Sequence, residues 1–220
     1  MALSEAFVLQ WLLFFWVLML GEEMAFTQTS TTVWPLPDAP STLQAVPNYE
    51  PITANERVLW FVRSTLGPGS LLVRGPLSAG LGTARNTPRE YGPHWEGFGK
   101  RYAMRLTGVA TGSLMQVSLG ALWGEDPRYS RSTTRSFSSR MEHVVLTTFL
   151  APHRDGRWYP AYARFAGIVG NNFLSNTWRA DSAATTNKAL ERCGWGVLAR
   201  LESQAFQEFW PDVRKKVFHK

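Results

Sequence analysis

One segment of very low charge constrains the fold more than any other feature of the sequence. Between residues 100 and 123, only Arg105 is charged after the leading Lys100 and Arg101. Apolar side chains cover most of the helical circumference there, at Met104, Leu106, Val109, Leu114, Met115, Val117, Leu119 and Leu122. A helix that is apolar all round is surrounded by other helices or lies in or on a bilayer. We predict a helix over residues 100–123, with both environments open.

Small residues give this helix and a later one a seam for close packing. Gly108 and Gly112 form a G-x-x-x-G step, which lets another backbone approach closely. A later helix is predicted over residues 159–176, where Gly167 and Gly170 follow two alanines at helical spacing. We expect the two seams to lie face to face, and the same small-residue faces could also join two copies of the chain.

Capping signals mark the starts of two further helices. Thr53 and Glu56 have the spacing of a capping box, and Pro68 closes the helix that follows. Ser139 and Glu142 repeat the spacing before a second helix, which Pro152 ends. The expected apolar face of the first helix comprises Val58, Leu59, Phe61, Val62 and Leu66, and that of the second Val144, Val145, Phe149 and Leu150.

The remaining folded part is one glycine-rich region and one long helix. Glycine and proline recur every few residues from 67 to 99, which predicts turns with at most one short helix around residues 77–84. The last helix is predicted from Ser182 or Ala183 to Trp210, with Pro211 beyond its end. No useful strand alternation occurs, so we predict an all-α fold, a compact bundle of about four to six helices.

The first fifty residues differ from the rest. Residues 6–20 are apolar apart from Gln10, a length that suits a secretory signal better than a full membrane span. Residues 1–25 are therefore predicted to be a signal peptide. No positive charge precedes the apolar segment and no clean small-x-small site follows it, so an uncleaved N-terminal anchor is the alternative. Residues 26–52 are predicted to be a disordered linker rich in Pro, Ser and Thr, and residues 53–220 the helical domain.

The charge balance favours anionic partners. The chain carries a net charge of +6, and no Lys or Arg precedes Arg57. Such an excess points to lipid headgroups or an acidic envelope polymer; a merely solubilising charge is the alternative, and we expect no nucleic-acid partner. The one cysteine, Cys193, excludes an internal disulfide and a Cys-rich zinc site, and is expected to be a buried, inert thiol.

The sequence offers little for catalysis. It contains no G-x-S-x-G elbow, phosphate-binding loop or H-E-x-x-H pair, and its four histidines are dispersed, so we expect no metal and no cofactor. Glu125 and Asp126, with Glu96, could form the acid pair of a glycosidase, with Trp95 and Trp123 stacking on sugar. The simpler interpretation is a helix stop in which Arg128 pairs with a carboxylate.

Several short segments together resemble an uncharacterised family of exported, mainly helical bacterial proteins. They are the S-T-L-G-P end of the first helix, Gly97–Tyr102, Glu125–Tyr129, Ser175–Trp178 and Glu208–Asp212, spread over nearly the whole folded part. The resemblance implies a leader, a helical body and an envelope location. It implies no activity, cofactor or catalytic residue.

The sequence therefore predicts an exported, non-enzymatic protein of the cell envelope, in the periplasm or on a membrane, that associates with anionic membrane or envelope polymer through a basic surface. The candidate binding residues, all at helix ends, are Arg101, Arg128, Tyr129, Asn176 and Trp178. Their structural alternative is an Asp126–Arg128 ion pair and an Asn176 that caps its own helix. Two other functions stay open, an envelope hydrolase using Glu125 and Asp126 and a polytopic membrane protein.

Overall fold

The computed structural model describes residues 49–218 and is mainly helical, as the sequence predicts. The α-helices are α1 (Ala54–Leu66), α2 (Gly75–Ala84), α3 (Trp95–Trp123), α4 (Phe137–Phe149), α5 (Tyr162–Leu174) and α6 (Thr186–Phe218). A π-helix (Gly69–Arg74) joins α1 to α2, and short 3-10 turns span Arg89–Tyr91, Ser175–Thr177 and Asp181–Ala183. The expected leader and most of the expected linker, residues 1–48, lie outside the described residues.

Helices α3 and α6 make the main contacts between helices. α3 packs against α1 and α2 and, through its glycines, against α5. α6 packs against α5 and also against α4. Outside these contacts, large apolar side chains stay exposed on most of the helices.

The capping box that begins α1 is confirmed, but the expected inward face of α1 is wrong. The Thr53 side chain accepts the Glu56 N–H, and Glu56 accepts the Thr53 N–H in return. The buried residues of α1 are instead Arg57 and Thr65. Of the five predicted apolar residues, Phe61 is half-buried and Val58, Leu59, Val62 and Leu66 are exposed. The helix is turned this way because Arg57 donates to the Glu125 carbonyl and Ser64 to Ser113 of α3.

The second predicted capping box does not begin a helix. α4 starts at Phe137 with Ser136 as its N-cap, so Ser139 and Glu142 lie inside it. The chain enters this helix early because the Glu208 carboxylate of α6 accepts the Ser132 N–H and holds the preceding loop in place. Of the expected inward residues of α4, Val144 is fully buried, whereas Val145 and Phe149 are exposed.

A short β-hairpin follows α4, although the sequence shows no useful strand alternation. Strand β1 (Leu150–Pro152) pairs antiparallel with β2 (Trp158–Pro160), with Leu150 opposite Pro160. The His153 N–H donates to the Arg157 carbonyl at 2.9 Å and closes the turn. Three-residue strands are too short to give an alternation that sequence reasoning can detect.

The end predicted for the last helix is also wrong, because Pro211 lies inside α6. Proline removes one helical hydrogen bond, and that usually ends or kinks a helix. Here Arg140 of α4 bridges the two sides of the proline, pairing with Glu208 at 2.7 Å and with Asp212 at 2.5 Å. This tertiary contact favours the helix on both sides of Pro211.

The glycine-rich region is more helical than the sequence indicates, since Gly69–Arg74 and α2 are both helical and α3 begins at Trp95. α3 and α5 approach closely at Gly112 and Gly167, where a Cβ on Gly167 would lie 2.7 Å from the Gly112 carbonyl oxygen. Gly108 faces Asn171, and Gly170 faces the Met115 sulfur. Within residues 49–218, no helix has the length and hydropathy needed to cross a membrane.

Candidate functional site

Arg101, the first candidate binding residue, is buried and fixes a loop. Its guanidinium donates to the carbonyls of Thr87, Pro88 and Gly92, at 2.7–2.8 Å. A Cβ on Gly97 would lie 2.7 Å from this guanidinium, so the start of α3 is closely packed around it. These contacts tie residues 86–92 to α3.

Arg128 and Tyr129 lie at the other end of α3 and contact buried carboxylates. The Arg128 guanidinium binds both oxygens of Asp126 and reaches Glu56 at 3.2 Å. The Tyr129 hydroxyl donates to Glu208 at 2.9 Å, and burial, followed by that carboxylate, raises the pKa of Tyr129. The Asp126–Arg128 ion pair offered as the structural alternative is therefore present.

Asn176 and Trp178 lie near the Arg101 end, in the turns between α5 and α6. The Asn176 side-chain oxygen accepts a hydrogen bond from Arg192 at 2.5 Å. The Trp178 indole N–H is buried without a hydrogen-bond partner. Since α3 rises 1.5 Å per residue, Arg101 and the residues after Trp123 are separated by roughly 30 Å. The five candidate residues thus do not form one patch.

The segment Glu125–Tyr129 is a hub of buried hydrogen bonds. The Glu125 carboxylate is fully buried and accepts the backbone N–H groups of Ala163 and Arg164 at 2.6 and 3.1 Å. Asp126, 1% exposed, accepts the Tyr49 hydroxyl at 2.8 Å in addition to Arg128. Because both carboxylates are enclosed and bonded to protein groups, the geometry supports a structural role for them.

Arginines complete this hub by donating to backbone carbonyls. Arg57 donates to the Glu125 carbonyl and Arg200 to the Pro127 carbonyl. Arg164 is 2% exposed and donates to the carbonyls of Thr147, Thr148 and Leu150. Burial lowers the pKa of Arg164 to about 10, although Glu125 and Asp126 oppose the shift. Part of the positive charge of the chain is therefore internal.

A third buried carboxylate is Glu208 of α6, for which the sequence predicted no role. It is fully buried, accepts from Tyr129 and Ser132, and pairs with Arg140. Gln204, one turn earlier, is 1% exposed and bonds Thr147 and Thr148 of α4. The sequence signal available for Gln204 and Glu208 was their helical spacing, which places residues 201, 204 and 208 on one face of a helix.

The distribution of side chains is inverted relative to an ordinary soluble domain. The largest fully buried side chains include Gln204, Glu125 and Glu208, and most of the buried hydrophobic residues are alanines. Large apolar side chains are instead exposed on every α-helix longer than α2. Apolar surface left in water costs about 25 cal/mol per Å². Such a surface indicates that another apolar phase or molecule covers it.

The most continuous exposed apolar surface follows α1. Val58, Leu59, Val62 and Leu66, which we call the α1 apolar face, are between 40% and 60% exposed and occupy neighbouring positions on the helix. Leu72, in the following π-helix, is 74% exposed. Arg63 is exposed on the same helix, next to Val62 in sequence. The surface combines an apolar stripe with a cationic side chain.

A second exposed feature is an aromatic cleft of about 510 Å³, lined by Trp123, His153, Tyr159 and Tyr162.

No group of three or more His, Cys, Asp or Glu among residues 49–218 is arranged to hold a metal ion. Cys193 is half-buried, and burial raises the pKa of its thiol. Among the described residues, the α1 apolar face and the aromatic cleft are the two surfaces that we consider as places for a partner.

Comparisons of the chain with protein-family models, with curated proteins and with solved structures each find no match. The family resemblance based on short motifs stays a prediction. The α1 apolar face and the aromatic cleft are the features that bear on function.

Proposed function

We propose that the protein is an exported, non-enzymatic protein of the cell envelope whose helical domain lies on an anionic membrane surface through the α1 apolar face. The observation that carries this proposal is the orientation of α1. Its buried side holds Arg57 and Thr65, and its exposed side holds Val58, Leu59, Val62 and Leu66. A helix in this orientation can bury its apolar stripe at the boundary between headgroups and acyl chains.

The charge distribution supports an anionic rather than a neutral surface. Among the described residues with a stated exposure, exposed cations outnumber exposed carboxylates, although Lys100 pairs with Glu96 and Lys188 with Glu191. The exposed cations are Arg63, Arg85, Arg89, Lys100, Arg131, Arg135, Arg154, Arg157, Lys188, Arg214 and Lys215, and the exposed carboxylates are Glu50, Glu90, Glu96, Glu142, Asp155, Asp181 and Glu191. Exposed Lys and Arg near a membrane each gain about 1 kcal/mol from anionic lipid. The apolar segment at residues 6–20 and the proline-rich linker support export, and would keep the domain close to a membrane if the segment is retained.

Other functions are less well supported by the geometry. The envelope hydrolase stays a hypothesis, and the enclosure of Glu125 and Asp126 gives a substrate no exposed carboxylate at that position. Association of two copies through Gly108, Gly112, Gly167 and Gly170 also stays a hypothesis, because within one chain these glycines already face neighbouring residues. Binding of an envelope polymer is favoured by a different observation, the aromatic cleft.

Co-sedimentation of the full-length protein with vesicles tests the proposal. We compare vesicles of phosphatidylcholine alone with vesicles that also contain phosphatidylglycerol. The double variant Val62→Ser and Leu66→Ser should weaken partitioning onto the anionic vesicles by at least about tenfold, because two exposed apolar side chains are lost from the interface. Since residues 6–20 are present in every variant, their contribution to binding cancels in the comparison.

Leu190→Ser is the matched control, because Leu190 is 56% exposed but lies on α6. It should bind the vesicles like the unmodified protein. Equal losses for both variants, or no loss for the α1 variant, would show that the α1 apolar face is not the membrane contact.

A further inference from the structure

The aromatic cleft opens where the C-terminal end of α3 meets the β-hairpin and the start of α5. Trp123 ends α3, Tyr162 begins α5, and His153 and Tyr159 belong to the hairpin. Trp123 is 41% exposed and Tyr162 is 61% exposed, so both rings can be reached from solvent. His153 and Tyr159 pack edge to face with their ring centroids 4.9 Å apart, which fixes one wall of the cleft.

The exposed lining of the cleft is almost entirely apolar, but the hairpin turn that closes on His153, which we call the basic rim, carries two exposed cations. The hairpin turn carries Arg154 and Arg157, both exposed. Arg154 also donates to the Ala121 carbonyl at 2.5 Å, which holds its side chain beside the end of α3. Cations at the rim of an aromatic cleft favour a ligand that is both ring-shaped and anionic.

The one carboxylate on this turn is engaged by the protein. Asp155 accepts the Arg157 N–H and the Tyr159 hydroxyl, each at 3.0 Å. The backbone hydrogen bond is the largest cause of the lowered pKa of Asp155. Asp155 therefore orders the turn and orients the Tyr159 ring against the cleft, while the two arginines stay exposed beside it.

We propose that this cleft binds an acidic saccharide, in which a pyranose ring lies on Trp123 and Tyr162 and a carboxylate meets Arg157. A sugar ring has an apolar face of C–H groups that suits an aromatic surface, and its hydroxyls stay in contact with water at an open site. The carboxylate matches the donors of a guanidinium. A purely apolar ligand would leave the basic rim unused.

This inference does not depend on membrane contact by α1. The two surfaces comprise different residues, and the sugar-binding experiment contains no lipid. Loss of vesicle binding in the α1 variant would leave sugar binding unchanged, so the failure of one proposal can be distinguished from the failure of the other.

Isothermal titration calorimetry of the full-length protein tests the site, with a hexamer of galacturonic acid and a neutral galactose hexamer as probes. The acidic hexamer should bind more tightly than the neutral one, and added salt should reduce the difference. Trp123→Ala should weaken binding of the acidic hexamer roughly tenfold, through loss of ring contact. Arg157→Gln should weaken it about threefold and remove most of the salt dependence.

Trp95→Ala provides the matched control for Trp123→Ala. Trp95 is 83% exposed and begins the same helix, roughly 40 Å from Trp123 along the helix axis. It should leave the affinity unchanged. Binding of neither hexamer, equal affinity for both, or equal losses in the two tryptophan variants would overturn the proposal. Far-UV circular dichroism of each variant verifies that it is folded.

Discussion

The Glu125 carboxylate accepts the backbone N–H of Arg164 at 3.1 Å and so joins the end of α3 to the first turn of α5. The same carboxylate accepts the Ala163 N–H at 2.6 Å. The first N–H groups of a helix have no partner within the helix, and a negative charge there is favourable. The buried Glu125 side chain thereby accepts the N–H groups at the start of α5 and connects α5 to α3, the helix that packs closely against it.

Glu125→Ala should lower the free energy of unfolding by about 3 kcal/mol or more, because two buried N–H groups and the buried Arg164 lose their anionic partner. Urea denaturation of the full-length variant measures the change. Glu96→Ala serves as the control, since Glu96 is exposed and pairs with Lys100, and it should leave the free energy of unfolding nearly unchanged. A small effect of Glu125→Ala on the free energy of unfolding would contradict the structural role of the Glu125 carboxylate.

Gly167→Ala should destabilise the protein by about 1–3 kcal/mol, because the added Cβ would lie 2.7 Å from the Gly112 carbonyl oxygen and force α3 and α5 apart. Gly194→Ala is the matched control in α6, where no atom lies within 4 Å of the new Cβ. There the substitution should stabilise by up to about 1 kcal/mol, through helix propensity alone. Thermal or urea unfolding of the two variants should therefore shift in opposite directions.

Arg101→Met should release the loop at residues 86–92, because three loop carbonyls lose their donor. The expected loss is about 3 kcal/mol of local stability. Hydrogen exchange should show faster exchange of amides across that loop. Arg89→Met, at an exposed position of the same loop, should leave exchange unchanged. A variant of Arg101 with unchanged exchange would favour a binding role for this residue over a structural one.

Glu202 should make stability fall as the pH rises. Burial raises the pKa of Glu202 to about 6 from its usual 4.5. Between these values the folded state binds more protons than the unfolded state, so the free energy of unfolding decreases with rising pH. Glu202→Gln should remove this decrease, and its advantage over the unmodified protein should grow between pH 4.5 and 6 and stay constant above pH 7. Urea unfolding at several pH values measures it, with Glu50→Gln as the exposed control.

The sequence predicts which segments are helical better than it predicts their orientation. The capping box at Thr53 correctly predicted where α1 starts, because a cap depends only on local residue spacing. Periodicity also identified Val58, Val62 and Leu66 as one face of α1. It could not show that this face is exposed, because that depends on Arg57 reaching the Glu125 carbonyl, 68 positions away in the chain.

The structural hub was only partly predictable for the same reason. An Asp126–Arg128 pair is local and was anticipated, whereas the roles of Glu208 and Gln204 require α4 and α6 to be adjacent. Pro211 is a similar case. A local rule predicted the end of the helix there, and contacts from Arg140 to residues on both sides of the proline favour its continuation.

A fluorescent probe on the α1 apolar face tests membrane contact by this helix most directly. Cys193→Ser removes the native thiol, and Leu66→Cys in that background is labelled with a dye whose emission shifts to the blue in apolar surroundings. Thr186→Cys, exposed at the start of α6, is the matched position. On addition of phosphatidylglycerol-containing vesicles, the probe at position 66 should shift to the blue and the probe at position 186 should not. An unshifted probe at 66, or equal shifts at both positions, would contradict membrane contact through α1.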